Sequence, residues 1–405
     1  MCQGAQRALS DFAKLLSEEG LSLYATRWLV HGDERAIKNP RRPIPHWPGI
    51  DGLKNAVSNF IGVPAGSSVL FANRSRALAE VSMELLASRC RRPLFVDLLW
   101  PPYQQSVIAA YRASTSTPSI VRVRRRVFHD HISADELIDV LADHYQRHSC
   151  DGLFLPSVSH DGVRLPVVRI CDRLRNLRPP QLVVVDGAQG FAHTDNREDV
   201  AAADIYLASA HKWLRSGLPL GIAIVPDAEV RSDLLATSAS QPTQCDFLLR
   251  LLEEWSYGQA TPFGETVNVA PLVTCFGALV NACHTPAETI QVGNRVLLAE
   301  CASASGWQLV ESADDLQSGI LLLMSPDGQG NHPAVTQLRR HFDEHSIAVT
   351  CYPGAVVRLS APRQALLSSG DCNRFRRGLR AAVEHPKFPP SSTDTDFRPR
   401  CRPST

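Results

Sequence analysis

Residues 181–226 read QLVVVDGAQGFAHTDNREDVAAADIYLASAHKWLRSGLPLGIAIVP, and their pattern decides the fold. Leu182 to Val185 is a short β-branched run that stops on a carboxylate, Asp186. A small polar turn follows from Gly187 to Gly190. A second apolar run, Ile205 to Ala208, then leads to Ser209, Ala210, His211 and Lys212, and a third, Ile222 to Val225, comes almost at once. Short apolar runs bounded by glycine and polar residues read as buried strands, although periodicity alone also admits buried helix. Asp186 and Lys212 therefore stand at strand ends, and open α/β sheets bind ligands at the carboxyl ends of their strands.

Lys212 is one of five lysines among 42 basic residues, and it alone lies between two strongly apolar runs. Partial burial disfavours an ammonium ion, lowers its pKa and exposes a nucleophilic amine. Such an amine forms a Schiff base with a carbonyl, and pyridoxal phosphate is a carbonyl cofactor that also needs an acidic partner on its pyridine nitrogen. Taken singly, Lys212 could be a surface lysine and Asp186 a helix N-cap; the combination is more specific.

Asp-Gly-Ala-Gln, then a strand ending Ser-Ala-His-Lys-Trp-Leu, then glycine and a third strand, resembles the aminotransferase class V family of fold-type-I pyridoxal-phosphate enzymes. The 26 positions from Asp186 to Lys212 match that family, and the His-Lys-Trp-Leu form is closest to its desulfurase, C–S lyase and epimerase branches. The resemblance implies an α/β fold, a three-layer, mostly parallel sheet with helices on both faces, and a smaller α+β C-terminal domain. It implies pyridoxal 5'-phosphate as cofactor, with Lys212 carrying it and Asp186 on its ring nitrogen. Gln189 would reach the phenolic oxygen and His211 the phosphate, with Ser209 beside them. A homodimer with shared active sites is also implied.

Outward from this stretch, residues 68–71 read as a strand, 72–75 as a turn and 76 onward as a helix. A strand, polar turn and helix start make an anion site, because free amides and the helix dipole point at the ligand. By resemblance Ser75, with Arg74 next to it, would hold the cofactor phosphate; a plain N-cap is the alternative. After the strand at 94–97, Trp100 or Tyr103 could stack on the cofactor ring, and core packing competes for both. After the strand at 152–155 the family carries an asparagine three residues before a glycine. Ser159 stands there, beside His160, so that contact departs from the pattern. Ala260-Thr261 or Glu265-Thr266 could replace the family's Gly-Thr pair, and Thr266 would then reach the phosphate in a neighbouring subunit.

In the C-terminal part, Val356-Val357-Arg358-Leu359-Ser360 places an arginine inside an apolar strand, where it must be paired, and its rigid fork suits a carboxylate. The family's "V-R-[IL]-S" implies that Arg358 holds the substrate α-carboxylate; a structural salt bridge is the other reading. Desulfurase chemistry is disfavoured, since Cys351 lies only seven positions before Arg358 in a tight segment and reads as a buried structural thiol.

The expected organisation is a helix and extended arm over 1–50, a large cofactor domain over 51–284, a small domain over 285–385 and a disordered tail over 386–405. The arm holds Arg27, His31 and Arg35, any of which could face a substrate. Ser133 and Glu136 form a capping box for a helix through Tyr145, and the run Arg122 to Arg126 reads as a half-exposed strand rather than a binding patch. A helix over 285–304, a strand over 319–324, a helix over 333–345 and a strand over 347–350 are expected further on. A formal net charge of +1 argues for neither nucleic acid nor membrane partners. Eleven cysteines without a CxxC pair, and no secretory pattern, suggest reduced thiols and a cytoplasmic location. The expected function is an enzyme acting on an α-amino acid, a class V transferase or lyase. Alternatives are an epimerase or C–S lyase of the same fold, or a non-catalytic scaffold or sensor.

Overall fold

Seven runs rich in Val, Ile, Leu and Phe form the main sheet of the computed structural model. It describes residues 1–19, 28–32, 47–63, 67–112, 114–240, 246–257, 266–282, 288–326 and 335–384. They are β1 (Ser68–Ala72), β2 (Pro93–Val96), β3 (Ser119–Val121), β4 (Gly152–Pro156), β5 (Val183–Asp186), β6 (Ile205–Ser209) and β7 (Gly221–Val225). Their order is β1-β7-β6-β5-β4-β2-β3, and only β7 runs against its neighbours. Strands β4 to β7 are buried at every position, which is why they read as continuous apolar runs: helices cover both faces of a largely parallel sheet. Reversal of β7 brings its first residue, Gly221, beside the carboxyl ends of β1 and β6.

A second, antiparallel sheet contains β8 (Gln308–Val310), β9 (Ile320–Met324), β10 (Thr350–Tyr352) and β11 (Val356–Ser360), in the order β10-β11-β9-β8. Helices Glu288–Ser303, Val335–Glu344 and Ser369–Glu384 pack with it around a separate apolar cluster that includes Trp307, Leu323, Phe342, Val357 and Leu379. In β11, Val357 and Leu359 turn into that cluster, so Arg358 stands on the opposite face.

The two sheets are joined through the turn after β4. Val163 bridges Gln317, the Arg164 amide donates to the Leu316 carbonyl at 2.8 Å, and the Ser318 hydroxyl donates to the Gly162 carbonyl at 2.7 Å. Gly162 has φ +100°, and a Cβ there would lie 2.8 Å from the Ile320 carbonyl oxygen, so the joint requires glycine. No helix among the described residues is long and apolar enough to cross a membrane.

Several expectations are corrected. The strand expected through Arg122–Arg126 stops at Val121, and Arg124–Phe128 is a short helix. Asp97 sets this boundary, because its carboxylate accepts from the amides of Val123 at 2.8 Å and Arg124 at 2.9 Å. The strand expected at 347–350 begins only at Thr350, since Ser346 and Ile347 close the preceding helix with bonds to the Asp343 and Phe342 carbonyls. Of the expected extended arm, the described parts pack as core. Trp28, in a helical turn, lies against Phe12 and Trp47, and the Trp47 indole donates to the Leu29 carbonyl at 2.9 Å. His31 is exposed; Arg27 and Arg35 lie outside the described residues, as do the first positions expected for the helix at 285–304 and the whole tail. The capping box is present as expected, with Glu136 N–H donating to Ser133 Oγ and Ser133 N–H to the Glu136 carboxylate.

Candidate active site

Register places the carboxyl ends of β1, β4, β5 and β6 along one edge of the main sheet. Pro156 pairs with Asp186, Asp186 with Leu207, and Gly221 with both Ala72 and Ser209. At one end of this edge, helix Ser75–Arg89 starts directly against β7. A Cβ on Gly221 would lie 2.5 Å from the Arg74 carbonyl carbon and from the Ser75 nitrogen, so a glycine is needed for the helix to approach. The helix has no side-chain cap. Its uncapped first-turn amides, with the buried Ser75 hydroxyl, are a fitting cradle for a phosphate group. Arg74 is exposed. The Asp246 carboxylate holds the preceding turn, accepting from the Asn73 backbone amide at 3.0 Å and from its side-chain amide at 3.0 Å. The same carboxylate caps helix Phe247–Tyr257 through the Leu248 amide. Asp246 is missed by the sequence reading, yet an aspartate directly before an apolar helix is an N-cap signal.

At the centre of the edge, Asp186 is buried and accepts one hydrogen bond, from the Ala188 amide at 3.0 Å. Burial raises its pKa, and the Lys212 charge and the Ala188 amide pull it back. Burial lowers the Lys212 pKa; Asp186 opposes this and the Arg358 guanidinium adds to it. The two charges thus act on each other, Asp186 buried and Lys212 half-buried at the cavity wall. His211, with its pKa lowered by burial and by Lys212, shares a 3.0 Å hydrogen bond between its Nδ1 and Ser209 Oγ.

Gln189 is clamped from two sides. Its side-chain oxygen accepts from the Trp213 indole at 3.0 Å, and its backbone carbonyl pairs with His193 Nδ1 at 2.7 Å. The His193 ring stacks on Trp213 with centroids 3.6 Å apart and planes 13° from parallel. On its other side His193 Nε2 accepts the Gly319 amide at 3.0 Å. That contact assigns the tautomer: the proton is on Nδ1, donated to Gln189. With its oxygen occupied by Trp213, Gln189 presents its NH2 group as a donor to the cavity it lines. Neither His193 nor Trp213 is among the residues singled out from sequence; a histidine four positions after Gln189 was the available signal.

Gln189, Lys212, Trp213, Arg215, Arg358 and Arg363 line one cavity of ≈ 660 Å³ between the two sheets. Arg358 has no carboxylate partner among the described residues, and its Nε is buried without a hydrogen bond. The structural salt bridge is therefore absent there, and a carboxylate entering the cavity would find an unpaired guanidinium.

Other sequence candidates fall outside this wall. Trp100 is 42% exposed, with its ring edge-on to Tyr103 at 5.4 Å. Tyr103 is buried and its hydroxyl is pushed up by burial and then by Asp186, which sets it near that carboxylate. The Ser159 hydroxyl is committed inside its own turn, donating to Asp161 and accepting from the Val163 amide at 2.9 Å. Asp161 in turn pairs with Arg124, and His160 packs edge-on against Tyr352. Thr266 is exposed on the segment before helix Ala270–Ala282; residues 260, 261 and 265 lie outside the described residues. Cys351 is buried in β10 with its thiol pushed up to about 11 by burial, as befits a structural thiol.

Solved structures share this architecture. A cystine C–S lyase, C-DES, in complex with cysteine persulfide superposes with a TM-score of 0.67 at 14% identity, over 94% of each chain. A cysteine desulfurase from Thermococcus onnurineus NA1 gives 0.63 at 14% identity, over 93% of this chain and 92% of that one. A ureidoglycine–glyoxylate aminotransferase from Bacillus subtilis gives 0.61 at 12% identity, over 82% and 84%. No family model matches the sequence, and no curated protein matches it significantly. The fold is the one these pyridoxal-phosphate enzymes share, fold type I.

Proposed function

We propose that this chain is a pyridoxal-phosphate enzyme acting on an α-amino acid, a transferase or lyase of the class V type. The observation that carries the proposal is a cavity lined by Lys212 and by an Arg358 without a carboxylate partner among the described residues, with the buried Asp186 acting electrostatically on Lys212 from behind the wall. The site fits the cofactor: an uncapped helix start and glycine cradle for the phosphate, a buried carboxylate for the ring nitrogen, a half-buried amine at the cavity wall for the carbonyl, and a fixed amide donor from Gln189 for the phenolic oxygen. When bound, the cofactor supplies an electron sink for charge developing at the substrate α-carbon.

The protein's own groups supply the rest. Arg358 binds the α-carboxylate through its planar fork and fixes the orientation of the amino acid. Lys212, whose ammonium form burial disfavours, takes the α-proton as general base. Asp186, buried beside the Lys212 charge, would pair with the ring nitrogen of the bound cofactor and favour its protonated form. Trp213 and His193 keep Gln189 aimed. The further readings of a homodimer sharing its active sites, a cytoplasmic location and a division near residue 285 belong to this same proposal.

The test is the absorption spectrum of purified protein incubated with pyridoxal phosphate, alone and with Lys212→Ala. The expected result is a visible band in the parent protein that borohydride abolishes, and none in the variant, with unchanged circular dichroism. A folded parent protein that acquires no band at all overturns the reading and leaves a scaffold of the same fold.

A further inference from the structure

The turn that follows Lys212 carries information about the substrate's side chain. Arg215 has φ +61°, a left-handed conformation that non-glycine residues adopt only under constraint. The constraint is visible. The Arg215 amide donates to the Lys212 carbonyl at 3.2 Å, the Ser216 amide to the Ala210 carbonyl at 3.1 Å, and the Ser216 hydroxyl to the Leu218 carbonyl at 3.1 Å. From outside, the Cys2 amide donates to the Arg215 carbonyl at 2.9 Å, and Met1 fills the space against Gly217. A glycine at 215 would meet these constraints without strain. An arginine stands there instead, with a backbone fixed on both sides.

Its side chain is half-buried and lines the cavity with Lys212 and Arg358. The wall has four cationic side chains, Lys212, Arg215, Arg358 and Arg363, and no Asp or Glu. Three of them have employment: Lys212 takes the cofactor, Arg358 the α-carboxylate, and Arg363 donates to the Ala192 carbonyl. Arg215 has no carboxylate partner among the described residues. A half-buried guanidinium in a concave wall without a carboxylate is free to pair with an anion that enters the cavity.

We propose that Arg215 is a distal oxyanion subsite, and that the substrate is an α-amino acid whose side chain ends in an acidic group. The inference rests on the proposed function, in which Arg358 already holds the α-carboxylate. Its fork would pair with the two oxygens of the side-chain acid, so that substrate length and charge are both read, one end by each arginine.

The experiment titrates the cofactor-loaded protein with L-aspartate, L-glutamate, their amides L-asparagine and L-glutamine, and L-alanine, following the cofactor absorption at equilibrium. At least one acid is expected to bind about 10- to 100-fold tighter than its amide, the range of a charge-assisted hydrogen-bonded pair. Arg215→Gln is expected to erase that ratio while leaving L-alanine affinity and cofactor affinity within about twofold. Amides that bind as tightly as the acids would overturn the inference. So would a variant that weakens cofactor or alanine as much as the acids, which would make Arg215 a phosphate or scaffold residue. Both results presuppose a visible cofactor band; its absence in the parent protein would defeat the proposed function instead, so the two failures are told apart.

Discussion

Replacing His193 with glutamine, and measuring stability at two pH values, separates its roles as clamp and as buried base. The imidazole is 1% exposed, and burial first, then the charges of Arg363, Arg358 and Arg164, push its pKa down to about 3, against the pull of the Gln189 carbonyl. In the unfolded chain the same group titrates at its ordinary value of 6.5. Between those values the unfolded chain binds a proton that the folded chain refuses. The stability contributed by neutral His193 is therefore complete above about pH 6.5 and is lost as pH falls towards 3. At ~1.4 kcal/mol per unit, and with the unfolded imidazole already half-protonated at pH 6.5, a fall from pH 6.5 to pH 4.5 removes about 2 kcal/mol. Glutamine does not titrate. At pH 7 it forfeits the ring stack on Trp213, ~0.5–1.5 kcal/mol, and one of two buried hydrogen bonds at ~1 kcal/mol, so the variant is less stable by about 2 kcal/mol. At pH 4.5 the parent alone bears the proton penalty, and the gap closes or inverts. Urea unfolding midpoints at both pH values, on cofactor-free protein, read this directly, and titration of His160, His211 and Asp186 cancels between parent and variant. A gap of the same size at pH 7 and pH 4.5 would refute the buried, neutral assignment.

Four further outcomes are expected. Gly162→Ala places a Cβ at φ +100° within 2.8 Å of the Ile320 carbonyl, and costs about 2–4 kcal/mol of strain and overpacking, seen as a lower urea midpoint. Gly221→Ala pushes the start of helix Ser75–Arg89 off β7, and is expected to weaken cofactor affinity about 10-fold or more in a fluorescence titration, while the far-ultraviolet spectrum is retained. Lys212→Ala leaves a folded protein without the visible band. Arg215→Gln removes discrimination between acidic side chains and their amides.

Much of the fold could be read because the main strands are buried on both faces: Val183–Asp186, Ile205–Ser209 and Gly221–Val225 are apolar at nearly every position and end at polar turns. Arg358 was legible for the opposite reason, alternating with Val357 and Leu359 on a half-buried strand. What escaped were features set by partners distant in sequence. Arg124–Phe128 turns helical because Asp97 caps it, and no local periodicity in the arginine run contains that information. His193 owes its role to Gly319, and Asn73 to Asp246, each more than a hundred residues away. Ser159 matched a spacing, but its hydroxyl is spent on Asp161 and Val163, contacts that a motif offset does not register. Trp100 and Tyr103 differ in burial, one at the surface and the other packed against Phe154, and the proline pair beside them hides that difference in the sequence.

The joint between the turn after β4 and the strap before β9 also has a meaning in time. Val163 and Gln317 are some 150 residues apart. At translation rates of ~5–20 residues per second, roughly 8–30 s separate their emergence from the ribosome. Until then Gly162 has nothing to close against, His193 lacks its Gly319 donor, and the wall bearing Arg358 does not exist. The main sheet can assemble early, but the cavity between the two sheets cannot. The cavity wall is thus completed late in synthesis, when the second sheet docks.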